Sequence, residues 1–402
     1  MIATDRGNEL LTSECIPTAA PEVTTLLLPQ EHVTTPGGTA TFCNRVKILH
    51  LNNEKTWRGG ERQTLLLAKA LHGRGVETAI ACRPDAPLEG CARQQGVPTL
   101  PLAANPFGAL VDLGRAASRY DLLHCHTART HSLATLTAAW SRKPVLVTRR
   151  VGFAVPPTWF NRYKYSLASH VVCVSAHIAD LLRDWGVPAA KLAVIRDAVP
   201  SRPLATADQV RTWREELQVP VGRKVVGNIA ALEEGKDHAT LLRAARAVTR
   251  HRPDVLFLMI GDGDLRDNLG RQQHELGLDE SVRFLGFVAE AERFLPAFDV
   301  FVMSSHMEGL GSIVLDAFAA GVPVAATAGG GLPELVRDGE TGLLVPVGDD
   351  AALADAILRL LGDQALAQRL VASARACVES KFAVPSMVAK YVQIYREVLK
   401  PS

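Results

Sequence analysis

Short apolar runs recur along this chain, each closed by a glycine or polar turn before a stretch with helical spacing. Val46-Lys47-Ile48-Leu49-His50-Leu51 is the first such run. Gly59-Gly60 reads as a turn and residues 61–72 as a helix, with Leu65, Leu66 and Leu71 among its apolar positions. Gly73 and Gly75 end that helix, and residues 76–82 form the next strand. Further strands are expected near residues 122–124, 145–148, 171–174 and 192–195. Strands that alternate with helices imply a parallel sheet covered on both faces. The 402 residues also exceed what one hydrophobic core supports.

The alternation stops at residues 199–222, where Pro200, Pro203 and Pro220 accompany a polar helical stretch. It restarts with strands at 224–229, 255–260, 282–284, 300–303, 322–327 and 342–345 and a helix at 239–249. The expected organisation is a disordered extension over 1–44, rich in Thr, Pro and Gly, then an α/β domain over 45–200. A linker over 201–221, a second α/β domain over 222–381 and a C-terminal helix within 382–402 complete it. A ligand belongs in the cleft between two such domains, beyond the carboxyl ends of the strands.

Several functional classes are disfavoured at this stage. The formal net charge of +2 gives no overall bias toward nucleic acid. The seven cysteines (Cys15, Cys43, Cys82, Cys91, Cys125, Cys173 and Cys377) are odd in number and contain no C-x-x-C pair. That argues against a disulfide framework and a structural zinc site, and fits a reducing cytosol. No apolar run approaches the roughly 18 residues of a spanning helix, and residues 1–9 do not read as a signal peptide. The expected location is the cytoplasm, at the inner face of the membrane.

The densest chemical signal is Ser304-Ser305-His306-Met307-Glu308-Gly309-Leu310-Gly311, directly after the strand at 300–303. A helix opens near Ser312, contains Asp316 and is capped by Gly321. The next strand leads into Gly329-Gly330-Gly331-Leu332-Pro333-Glu334, where Pro333 and Glu334 suit the first turn of another helix. Carboxylates at strand ends can accept from sugar hydroxyls, and exposed amides at a helix start can hold a phosphate. Gly261-Asp262-Gly263 follows a strand, but Arg266 stands where a dinucleotide fingerprint needs its third glycine, so this is a turn lining the cleft.

Taken in order, Lys236, Gly261-Asp262-Gly263, Phe284-Leu285-Gly286, Glu308-Gly309, Gly329-Gly330 with Pro333-Glu334, and Asp338-Gly339-Glu340-Thr341-Gly342 resemble the family 4 glycosyltransferases. The resemblance implies the GT-B fold, two Rossmann-like α/β domains facing each other across a cleft. It also implies transfer from a nucleoside diphosphate sugar with retention, without a metal or other cofactor. Glu308 matches the first acid of the family's E-x7-E pattern, near the donor sugar and the reacting centre. Asp316 falls at the second acid, which holds the ribose; the family has Glu there, one methylene longer. Lys236 matches the cation that neutralises the diphosphate, while the arginine usual five positions earlier is Ala231 here. Gly309, Leu310, Gly311, Gly261 and Gly263 are expected to line the donor, and Phe287 the loop near its base. In the first half, Gly59-Gly60 resembles the glycine turn near the diphosphate. Asp121-Leu122-Leu123-His124-Cys125-His126 resembles the family's D-x-x-H-x-H strand end, with His126 at the donor sugar and His124 structural.

A stretch mixing basic and aromatic residues lies in the acceptor-side half. Arg149, Arg150, Arg162 and Lys164 are candidate contacts for an anionic, lipid-linked acceptor at a membrane surface. The expected function is transfer of a sugar to a glycan or lipid-linked acceptor in bacterial cell-surface polysaccharide synthesis, with no nucleic-acid partner. The alternatives are a nucleotide-sugar epimerase or hydrolase on the same fold, and a non-catalytic nucleotide-sugar binder.

Overall fold

The computed structural model describes residues 46–400, so the extension expected over 1–44 lies outside the described residues. Seven strands form the first sheet: β1 Lys47–Asn52, β2 Glu77–Cys82, β3 Thr99–Pro101, β4 Leu122–Cys125, β5 Val145–Arg149, β6 His170–Cys173 and β7 Leu192–Val194. Six form the second: β8 Lys224–Ile229, β9 Val255–Ile260, β10 Val282–Gly286, β11 Val300–Met303, β12 Val324–Thr327 and β13 Leu343–Val345. All ladder pairs are parallel, in the orders β3-β2-β1-β4-β5-β6-β7 and β10-β9-β8-β11-β12-β13. The first half carries helices α1 Gly59–His72, α2 Pro87–Gln94, α3 Pro106–Ala117, α4 Ala128–Ser141, α5 Trp159–Leu167 and α6 Ala176–Trp185. Helix α7 Ala207–Glu216 lies in the linker. The second half carries α8 His238–His251, α9 Arg266–Glu275, α10 Ser312–Ala319, α11 Asp350–Gly362 and α12 Gln364–Lys381, and α13 Val384–Val398 follows. No helix among the described residues is long and apolar enough to cross a membrane.

Burial explains the unbroken apolar strands. Every residue of β9 is buried, as a parallel strand covered on both faces requires. Val255, Phe257 and Met259 enter one core cluster, while Leu256, Leu258 and Ile260 enter the cluster on the opposite face. The helices carry local start and stop signals. Ser175 caps α6 by accepting from the Ile178 amide at 3.2 Å, and Gly186, with φ +109°, ends it in the left-handed region.

Three local expectations change. Gly59 and Gly60 are the first two residues of α1 rather than a turn before it, because Glu61 accepts from the Arg58 amide at 3.1 Å and closes the helix start two residues earlier than expected. The helix expected at Pro333 is a single 3-10 turn, Leu332–Glu334. The edge strand Thr99–Pro101 escaped the pattern because three residues ending in proline carry no period.

Helix α13 packs against the first sheet, although it follows the second in sequence. Tyr391 and Tyr395 are fully buried in a cluster with Ile48, Leu67, Leu71, Leu122 and Val172. Their hydroxyls meet Thr148 Oγ1 at 3.1 Å and His124 Nδ1 at 2.9 Å. Replacing Tyr391 or Tyr395 by alanine is expected to cost about 3–5 kcal/mol through the cavity left behind. Urea unfolding, followed by a probe in the first half, measures that loss.

Candidate active site

In both sheets the strand order reverses at one point, between β1 and β4 in the first and between β8 and β11 in the second. Crevices open beyond the carboxyl ends of strands at such reversals. His126 follows β4, the segment 230–237 follows β8, and the segment 304–311 follows β11. Most of the sequence-derived candidates therefore come from these two reversal points, which face a common groove. The halves touch there. A Cβ on Gly309 would stand 1.9 Å from the Arg150 carbonyl oxygen, so only glycine lets the two backbones approach this closely.

Lys236 and Glu308 meet directly and form an ion pair. The approach is set by backbone: Ser304 Oγ donates to the Lys236 carbonyl at 2.9 Å, and the Met307 amide donates to the Gly235 carbonyl at 3.2 Å. Ser305 Oγ also donates to Glu308 Oε2 at 3.3 Å. Leu310 is buried beneath this loop, and Gly311, with φ +86°, precedes α10. Gly59 lies against Ser312, so the amino-terminal ends of α1 and α10 face each other across the groove. Gly60 lies by the Arg150 side chain. Gly261 has φ +145° and packs on the Ala230 carbonyl, where a Cβ would come within 1.9 Å; Gly263 packs on Leu232 in the same way. These two glycines seat one loop on the next, and Phe287 stands exposed beside them after β10.

The triple glycine at 329–331, expected as an amide-exposing turn, also has a packing use. Its backbone lies against the carbonyls of Ser305, Glu308 and Gly309, and a Cβ on any of the three would collide with one of those oxygens. It supports the Glu308 loop from behind.

Asp316 is buried, and burial raises its pKa, opposed by the Arg62 guanidinium. Arg62 comes from α1, in the other half. It pairs with Asp316 and, at 2.9 Å, with Glu292. Burial works against the charge on Arg62, but the two carboxylates outweigh it and hold its pKa raised. Sequence reasoning missed Arg62, Arg58 and Glu292. The only available signal was the position of Arg58 and Arg62 beside Gly59-Gly60.

Three imidazoles fill the floor on the first-half side. His50 and His124 are register partners in β1 and β4, and His126 follows. Arg150 Nη1 lies 2.9 Å from His126 Nδ1. An arginine can only donate, so His126 Nδ1 accepts and its Nε2 proton is directed to His50 Nδ1 at 3.0 Å. His124 is held by Tyr395 and by Thr148 Oγ1 at 2.7 Å. The ligand atoms of the three histidines lie within 4.8 Å of one another, a set that could bind a metal ion. Their nitrogens are largely engaged already, and the adjacent guanidinium opposes a cation. Burial lowers the pKa of all three, that of His50 to about 3, and Arg150 adds to each shift.

The basic stretch divides. Arg149 turns inward at the end of β5, donating to Tyr165 Oη at 3.1 Å and to the Phe153 carbonyl. Lys164 is buried, and burial lowers its pKa. Arg150 is committed to Asp197 at 3.2 Å and to His126. Only Arg162 is exposed, over the Trp185 ring at 5.5 Å. Strand alternation and the buried face of α5 explain why four basic residues close in sequence do not form one surface.

Two family models match: Glycosyltransferase Family 4 over residues 57–202 and Glycosyl transferases group 1 over residues 209–376. The chain is 31% identical to the lipopolysaccharide core biosynthesis glycosyltransferase LpsD of Rhizobium meliloti, over 87% of this chain and 98% of that protein. The chain belongs to the family 4 glycosyltransferases. LpsE of the same organism, also a lipopolysaccharide core biosynthesis glycosyltransferase, is 29% identical over 87% of this chain and 98% of its own length. The Anabaena protein Alr3699/HepE, crystallised with UDP and glucose, has the same fold. It superposes with a TM-score of 0.80 at 23% identity, covering 88% of this chain and all of that one. The glycosyltransferase thus has the GT-B architecture, and the epimerase and non-catalytic alternatives are not favoured.

Neutral histidines make the glycosyltransferase acid-sensitive. Their folded pKa values lie below the unfolded value, so the unfolded chain binds more protons as pH falls through about 6.5 and stability drops. Each of the three should remove about 1.4 kcal/mol between pH 7.5 and 5.5. Urea unfolding at the two pH values tests this, and His50→Asn should reduce the difference.

Proposed function

We propose that this glycosyltransferase moves a sugar, with retention, from a nucleoside diphosphate sugar in the groove to a lipid-carried glycan of a bacterial surface polysaccharide. One observation carries the donor reading: Asp316 Oδ1, on the helix that opens after the Glu308 loop, is buried without a hydrogen-bond partner. A ribose hydroxyl would satisfy that oxygen. The diphosphate would then lie near the facing ends of α1 and α10, where helix-end amides favour negative charge. Lys236 would leave Glu308 for the departing diphosphate, and Glu308 would turn to the donor sugar's hydroxyls. Removing a metal-free leaving group depends on such fixed positive charge. The UDP in the Alr3699/HepE crystals supports a nucleotide donor, and the relatives named for lipopolysaccharide core synthesis support the acceptor class.

Exposed side chains favour a membrane-borne acceptor. Helices α3, α4 and α5 pack in succession and present Phe107, Leu136, Trp140, Trp159, Tyr163 and Leu167 to solvent. Arg115, Arg119, Arg142 and Arg162, on or next to the same helices, are also exposed. Exposed aromatic residues together with arginines suit the interface of an anionic bilayer.

Thermal-shift measurement with UDP, GDP and ADP is the first test: at least one should raise the melting temperature by mass action. Lys236→Ala and Glu308→Gln should each lower transfer from that donor to a cellular lipid extract by about 10²–10³-fold. Full activity in either variant defeats the role given to that residue. The double variant Trp140→Ala, Trp159→Ala should lose flotation with phosphatidylglycerol vesicles while keeping nucleotide binding. Unchanged flotation defeats the membrane reading.

A further inference from the structure

Two groove positions depart from the family pattern, Ala231 and Asp316; an arginine of the first half pairs with Asp316, and another pairs near Ala231 in sequence. Arg58 and Arg62 lie one helical turn apart at the start of α1, on a shared face. Arg58 pairs at 2.8 Å with Glu233, two residues beyond Ala231. Arg62 bridges Glu292, at 2.9 Å, and Asp316 Oδ2. The Asp316 side chain is 1% exposed, and its second oxygen, Oδ1, has Arg202 as an ion-pair partner at 3.7 Å but accepts no hydrogen bond. A buried carboxylate oxygen left without a donor is costly, and a hydroxyl of a bound molecule would relieve it.

We propose that Arg62 is a positioning residue for the donor: it reaches from the acceptor-side half and orients the shortened Asp316 so that Oδ1 meets a ribose hydroxyl. The proposal rests on the nucleotide-sugar reading of the groove and adds the first-half group that completes it. Aspartate reaches one methylene less far than glutamate, so its carboxylate plane must be fixed from outside. The rigid guanidinium does this, with one N–H on Oδ2 and another anchored on Glu292. Arg62 and its two carboxylates belong to opposite halves. The oriented carboxylate therefore exists only in the closed groove, and ribose recognition and closure favour each other.

Isothermal titration of the full chain tests this with UDP, GDP and ADP. The tightest binder is then compared with its 2′,3′-dideoxy counterpart in wild type, Arg62→Ala and Arg62→Lys. Wild type should lose about tenfold or more in affinity when the hydroxyls are removed. Arg62→Ala should bind the parent nucleotide more weakly and no longer distinguish the pair. Arg62→Lys keeps the charge without the fork and should fall between. If Arg62→Ala does not fold, Glu292→Gln removes the second anchor of the guanidinium and should also reduce the discrimination. Arg62→Ala, or Glu292→Gln in its place, discriminating by the full wild-type factor overturns the proposal and leaves the nucleotide reading standing. So does a wild type that binds a diphosphate without discriminating. A wild type that binds none of the three diphosphates overturns both.

Discussion

The ion pairs that join the two halves run in one direction. Among the described residues, Arg58, Arg62 and Arg196 supply the cations from the first half, and Glu233, Glu292, Asp316 and Glu334 the carboxylates from the second. The second half therefore brings an acidic wall to a groove proposed to receive a diphosphate. An anionic ligand would be repelled from that wall unless the arginines stood opposite it. Closure and ligand charge are thus linked by Coulomb attraction, and the whole chain can stay near neutrality while its groove is strongly polarised.

The Lys236–Glu308 pair applies the same logic within the second half. Without a ligand the two side chains neutralise each other, which spares each the cost of a partly buried, unpaired charge. In the proposed donor complex each would exchange that partner, the lysine for the phosphates and the glutamate for the sugar hydroxyls. The loop carrying Glu308 is held by backbone hydrogen bonds and by the glycine triplet behind it, so exchanging partners needs side-chain movement more than loop movement.

Beneath the groove, the first half holds a cluster of buried imidazoles. His50, His124 and His126 form a buried set tied by Arg150, Thr148 and Tyr395, the last contributed by a helix from the far end of the chain. All of their ring nitrogens except His50 Nε2 have a partner, and such buried networks favour one geometry. Helix α13 closes the first core after the second domain has been made, so the chain crosses between halves twice.

The architecture was legible in the sequence because strand and helix periods are local. The apolar runs at β8, β9 and β11 appear at the residues where the structure has them, and the motif order through Glu308 and Asp316 indicated the family. Boundaries slipped where local signals compete, as at Gly59-Gly60, or where an element is too short to have a period, as at β3. What only tertiary structure decided is which side chains meet. Arg62 and Asp316 are separated by 254 positions, and no spacing rule links them. Arg149 and Lys164 turned inward because strand alternation and packing, not proximity in sequence, decide which charges meet water. Periodicity is a property of neighbours along the chain, whereas charge pairing across the groove is a property of the folded surface.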